Sequence, residues 1–259
     1  MSIDSSEEKT RTDAENWAQP VERLRAMGMP PNAPNLVDGR RLVGPLQGFG
    51  KMWQKTYRIR LDEAQVAPVS LIETWKANFS SLWPSGNHFY APLTGIEPGE
   101  VALISLAAGP MKLSTGVMVL YSDSESFTLM TPQGHMFAGW ITFSAFEGPP
   151  ATGEGDACCV AQVQVLMRAQ DPLSELGLAF GGHKAEDRFW CSTLQSLALR
   201  FGSSAQAEVQ VVCVDPRRRW SQAGNVWHNA GIRSGLHVAG APLRWLRRRR
   251  RPSPQHSAG

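Results

Sequence analysis

The sequence predicts an α+β domain in which a curved antiparallel sheet wraps around a long C-terminal helix, followed by a basic extension. Three observations carry that prediction. Short segments of alternating polarity follow one another with turn formers between them, the pattern of consecutive antiparallel strands rather than βαβ units. A long helical stretch with a broad apolar face comes after them, placed to cover the apolar side of such a sheet. Finally, the formal charge of +3 hides a division along the chain. Residues 216–259 hold ten arginines and no acidic residue, leaving 16 basic against 23 acidic residues before them, a formal −7. The pI near 8.8 thus belongs to the tail and not to the body.

The elements follow in order. Residues 1–45 read as a polar leader, a short helix over 13–27 with Val21, Leu24 and Met27 on one face, and a Pro/Gly-rich linker. The main domain is expected over 46–215 and the tail over 216–259. The first strand spans 52–61, where Trp53, Tyr57, Ile59 and Leu61 alternate with Gln54, Thr56, Arg58 and Arg60. Lys55 is the exception, a charge on the apolar face. Pro68 opens a helix with Leu71, Ile72, Trp75, Phe79 and Leu82 near helical spacing, and Trp83–Asn87 ends it. Strands are expected over 101–107, 115–121, 126–130, 137–146 and 157–168. Gly139, Ile141 and Phe143 face inward on one strand, and Val163, Val165 and Met167 do so on the next. Asp171-Pro172 is a cap-and-first-turn pair that starts the long helical region, which runs to about Phe201 with a break at Gly181-Gly182. A last strand covers 207–215.

This order resembles the helix-grip superfamily, also called START-like or SRPBCC, which includes polyketide cyclases and lipid-transfer domains. Within it, the chain is similar to an uncharacterised bacterial family. The resemblance rests on Trp83-Pro-Ser-Gly-Asn-His-Phe-Tyr90, Met130-Thr-Pro-Gln-Gly-His-Met-Phe-Ala-Gly-Trp140 and Gly181-Gly-His-Lys-Ala-Glu-Asp-Arg-Phe-Trp190, and covers about residues 50–202. It implies an apolar or amphipathic small molecule held between sheet and long helix. A fold by itself does not set function.

The chemistry-bearing residues are sparse. His88, His135 and His183 stand in glycine-flanked or polar breaks and outside any metal-ligand spacing. No metal site is expected, and no cofactor, since neither a P-loop nor a dinucleotide fingerprint is present. His135, in the loop before the strand carrying Trp140 and Phe143, is placed to orient a polar ligand group. The ligand-binding candidates are His88, Tyr90, His135, Trp140, Phe143 and Trp190. The candidates for catalysis are His135, His183 and Asp187, the last two one helical turn apart, where a carboxylate can tune an imidazole base. A cyclase/dehydratase-type enzyme using a cavity histidine is therefore the alternative to plain binding. An ordinary surface histidine is the bland reading of each, and a solvated first helical turn is that of the 183–188 cluster.

The four cysteines lack any C-x-x-C spacing and read as reduced thiols. The acidic N-terminus has no secretion signal and no segment of ~18 apolar residues exists, so a cytoplasmic protein is expected, with a peripheral place at the inner membrane surface open to it. The candidates for anionic-surface binding are Arg217, Arg218, Arg219, Arg244, Trp245, Arg247, Arg248, Arg249, Arg250 and Arg251. Ile232, Leu236, Ala239, Leu243 and Leu246 would form one helical stripe. A membrane surface suits that pattern, and nucleic-acid phosphates suit it less. Docking on the acidic body and a plain solvated end are the other readings.

Overall fold

A computed structural model describes residues 13–30, 33–62, 66–108, 111–149 and 157–239. Its strands are β1 (Met52–Leu61), β2 (His88–Tyr90), β3 (Val101–Ala108), β4 (Met111–Ser122), β5 (Ser126–Met130), β6 (Phe137–Gly148), β7 (Cys158–Ala169) and β8 (Glu208–Asp215). They make one antiparallel sheet in the order β2-β3-β4-β5-β6-β7-β1-β8. Its helices are α1 (Pro68–Asn78), α2 (Pro172–Gly177), α3 (His183–Arg200) and α4 (Ala230–Ala239). The sheet curves around α3, and the architecture is the helix-grip expected from the sequence. Among the described strands, only the three-residue β2 lies outside the expected set. It pairs His88 with Ser105 and Tyr90 with Leu103 at the sheet edge.

Registers place inward residues in rows across the sheet. Leu129, Ile141, Val165 and Lys55 are cross-strand partners in one row over β5, β6, β7 and β1. The next row is Phe127, Phe143, Val163 and Tyr57. α1 and the tight 3-10 turn Phe79–Leu82 that extends it fill the space above this second row. Trp75 stands edge-on to Phe143 at 5.3 Å, and Phe79 does so at 5.0 Å. That half of the sheet is a solid aromatic core, worth roughly 1.5–3 kcal/mol for each large side chain removed from water.

The expected 13–27 helix does not form. A 3-10 turn at Ala14–Asn16 is its only helical part, and the chain then runs extended. Pro20 explains this, because it has no N–H to donate and disfavours helical backbone at Gln19. Ala18 instead gives its N–H to the Leu120 carbonyl and Leu24 gives its own to Arg40. Leu24 and Val37 are buried with Leu103 and Met118 in a second, smaller core on the other face of the sheet.

The α2–α3 break falls where Gly181-Gly182 was expected to place it. Residues Leu178–Gly182 form a widened turn in which Phe180 and Gly181 leave helical backbone angles, Gly181 with φ +109°. Only glycine adopts that angle without strain. Asp171 caps α2 by accepting the N–H groups of Leu173 and Ser174 at 2.9 and 3.0 Å.

After β8 the chain folds back on the body. Arg219 gives its N–H to Phe49 O at 2.7 Å, and the Trp220 ring meets Phe49 edge-on at 5.1 Å. Asn229 Nδ2 donates to Asp171 Oδ2, and the Ser234 hydroxyl accepts the Ser114 N–H. Arg168, 1% exposed, fixes the start of this segment by donating to the Gly50 and Arg217 carbonyls and pairing with Asp215 at 2.5 Å.

Candidate functional site

Between the sheet and the α2–α3 unit lies a cavity of about 950 Å³. Its floor is the inward face of the strands: Ile104, Val117, Leu129, Ile141, Val165 and Met167. Its roof comes from Leu178 and Gly182 at the kink and from Phe189 and Trp190 on α3. The cavity ends where the aromatic core begins. Trp83 stands edge-on to Phe189 at 5.0 Å, and Trp190 meets Phe143 at 5.5 Å, so these rings divide the empty half from the filled half. The kink lies directly over the space, with Leu178 and Gly182 both bordering it.

Two ionisable groups enter this apolar lining from buried positions. His135 lies in the turn between β5 and β6 and is 6% exposed. Its Nδ1 accepts the Phe137 N–H at 2.9 Å. Burial pushes the imidazole down to about 4. The turn itself is clamped. The Gly134 N–H meets Gln170 Oε1 at 2.5 Å, and the Gly134 carbonyl accepts the Ala230 N–H at 2.7 Å. Gly134 is there of necessity: with φ +97°, a Cβ would also come within 2.4 Å of the His228 carbonyl.

Glu186 is the second group, on the first turn of α3. Lys55 Nζ lies 2.9 Å from Glu186 Oε2 and 2.7 Å from Asp187 Oδ1, and it also donates to the His183 carbonyl at 3.3 Å. The Tyr57 hydroxyl donates to the same Asp187 oxygen at 2.8 Å. Burial pushes the Glu186 carboxyl up to about 7 against the pull of Lys55. The Tyr57 phenol is raised too, by burial first and then by the charges of Glu186 and Asp187. The inward Lys55 is thereby explained as the counter-charge to two acids at the head of α3.

The structure brings some of the sequence candidates together and leaves others apart. His135 and Trp190 line the cavity, whereas the Trp140 side chain stands on the opposite face of β6 from Gly139 and Ile141, beside Gly44, so only its backbone side borders the space. Phe143 packs behind Trp190 in the aromatic core. His88 is exposed on β2, and Tyr90 joins the second core on the other face of the sheet. His183 packs its ring on Trp53 at 5.0 Å, and its Nδ1 has no hydrogen-bond partner among the described residues. Asp187 turns its carboxylate to Lys55 and Tyr57 instead of to that imidazole. Of the arginines, Arg217 pairs with Asp215 at 2.9 Å and Arg218 with Glu175 at 3.0 Å, while Arg219 sits half-buried. Arg244, Trp245 and Arg247 through Arg251 lie outside the described residues, as do Leu243 and Leu246 of the expected stripe. Lys55 and Glu186 were absent from the sequence candidates, although an unexplained lysine on an apolar strand face was the signal for them.

No family model matches the chain, and no curated protein is significantly similar to it. Among solved structures, that of Ara h 8.0201 is similar at 11% identity, covering 58% of this chain and 97% of that one with a TM-score of 0.38. The major latex-like protein 151 of Panax ginseng is similar at 13% identity over 59% of this chain and 99% of its own, with a TM-score of 0.35. A conserved protein from Geobacillus kaustophilus is similar at 8% identity over 61% and 99%, with a TM-score of 0.28. Likenesses this remote say nothing about ligand or activity, and the helix-grip architecture stands on this chain's own strand order and long helix.

Proposed function

We propose that the protein binds a hydrophobic or amphipathic small molecule in the cavity between the sheet and α3. The observation that carries this is the cavity itself: about 950 Å³, floored by aliphatic side chains and entered by only a few polar groups. That size and lining match the general character of small-molecule sites. Native mass spectrometry and solvent extraction of the purified chain test it. A co-purifying apolar compound, or saturable binding of the neutral dye N-phenyl-1-naphthylamine, is expected. Ile141→Trp, which fills the floor, should abolish dye binding while the thermal transition stays cooperative. Dye binding undiminished by that substitution would place the ligand elsewhere.

The cyclase/dehydratase-type alternative is less well served by the histidine it invoked. His135 accepts a hydrogen bond at Nδ1 and is held neutral by burial, so it is a poor proton acceptor. Asp187, which would have tuned His183, is engaged by Lys55.

Association with an anionic membrane surface through the arginine tail is a second reading, favoured by α4. There Ser234 turns to the body, whereas Ile232 and Leu236 are 41% and 68% exposed just before the arginine run. Vesicles containing phosphatidylserine should co-sediment the full chain and lose it on deletion of residues 240–259. Retention of the deleted chain, or capture by RNA alone, would count against a membrane role.

A further inference from the structure

Given the ligand-binding reading, the cavity's polar groups say something about what the ligand must carry. Glu186 already has a counter-charge in Lys55 at 2.9 Å. His135 is different. Its Nδ1 accepts the Phe137 N–H, and in a neutral imidazole the nitrogen that accepts is not the one that carries the proton. The proton therefore sits on Nε2, for which no protein acceptor is found among the described residues, and His135 is one of the residues that line the cavity. Unlike His183 Nδ1, this nitrogen is not sealed in packed protein, so its N–H faces open space and is free to donate to whatever occupies it. Nor does the ring have freedom to seek a partner elsewhere. The 134–137 turn is held by the His135 N–H to the Pro132 carbonyl, by Gln170 and Ala230 on either side of Gly134, and by the Phe137 bond to the ring.

We infer that His135 Nε2–H is a fixed hydrogen-bond donor for the ligand, and that the ligand is an apolar molecule bearing a carbonyl-type acceptor oxygen rather than an amine. The assignment rests on the cavity being a ligand site. It adds the chemical class and the atom that recognises it. Because burial keeps the ring neutral through the physiological range, this recognition does not depend on a charge.

The test compares two shapes that differ in one atom. The full chain is loaded with N-phenyl-1-naphthylamine and titrated with 2-dodecanone or with 2-methyl-1-dodecene, in which a methylene replaces the ketone oxygen. The ketone should displace the dye about tenfold more strongly, the ratio that one net hydrogen bond supplies. His135→Phe should reverse the preference, because the ketone then gives up its hydrogen bonds to water without replacement, and His135→Gln, which keeps an N–H donor, should restore part of it. The 15N spectrum of the wild-type histidines should show His135 as the Nε2–H tautomer, with Nε2 shifting on addition of ketone and not of alkene. That spectrum and the wild-type ketone-to-alkene ratio decide the matter even if His135→Phe folds poorly. Equal affinities in the wild type, or a preference that survives in His135→Phe, overturn the assignment alone. Failure of the dye to bind at all sinks the ligand-binding reading, and the assignment with it.

Discussion

Lys55 is the residue whose removal should be felt most. It is fully buried between the buried Glu186 and the partly exposed Asp187, and taking away the cation leaves both acids without their counter-charge. Lys55→Met should therefore destabilise by about 3–5 kcal/mol in urea unfolding. Adding Glu186→Gln to it should recover part of the loss, because the buried acid that Lys55 faced goes. A loss under ~1 kcal/mol in the single variant would show that water reaches the cluster. Glu186 also gives a pH signature. Its folded value, about 7, lies above the ordinary carboxylate value of 4.5, so the folded state holds the proton more tightly than the unfolded chain. The penalty for ionising it is thus absent below about 4.5 and complete above about 7, and stability falls as pH rises through that window. Subtracting the stability–pH profile of Glu186→Gln from that of the wild type should leave this downward slope. A flat difference would mean that Lys55 holds the carboxylate ionised throughout. His135 acts with the opposite sign. Its value near 4 lies below the ordinary 6.5, so its contribution falls as pH drops from 6.5 to 4.

At the scale of elements, the join between β7 and α2 concentrates several dependencies. Asp171 is fully buried, caps α2, accepts from the Ser174 hydroxyl and holds Asn229 of the returning segment. Asp171→Ala should cost about 2 kcal/mol, the upper part of the range for lost caps, because a buried partner is stranded as well. Thermal or urea unfolding checks it; a change within 0.5 kcal/mol, the usual effect of a surface site, would refute it. These elements also show what the sequence could disclose. Periodicity and turn chemistry read β1 and β5 to the residue, and they read the Gly181-Gly182 break and the Asp171 cap. All depend on local patterns of two to four residues. The 13–27 helix fails although Val21, Leu24 and Met27 stand at helical spacing, because Pro20, just before them and inside the expected span, breaks it. The cavity wall was only partly legible. Phe143 alternates correctly to the inner face, but which inner residues meet empty space depends on how far α1 reaches, and no local period encodes that. The Lys55–Glu186–Asp187 cluster joins positions some 130 residues apart, so the sequence offered the misplaced lysine without its partners.

For the molecule as a whole, the residues after Asp215 behave as part of the body as far as Ser234. They contact the 49–50 turn, the Gly134 carbonyl, Asp171 and β4. Ending the chain after Asp215 should lower the melting temperature and speed amide exchange at His135 and Phe137, because Ala230 no longer holds Gly134. Unchanged exchange at that turn would show that Gln170 alone suffices. The strand order has a kinetic consequence as well. β1 lies inside the sheet, flanked by β7 and β8, so both of its hydrogen-bonding edges belong to strands that begin some 100 or more residues later in the chain. A nascent chain holds β1 with neither edge satisfied until β7 has been made and with one edge open until β8 follows, and loop-closure entropy must be met before either pairing is rewarded. Protection of the Tyr57 and Ile59 amides should appear late in pulse-labelled refolding, after the contiguous β3–β6 meander. In that interval β1 is the segment most open to pairing with another chain.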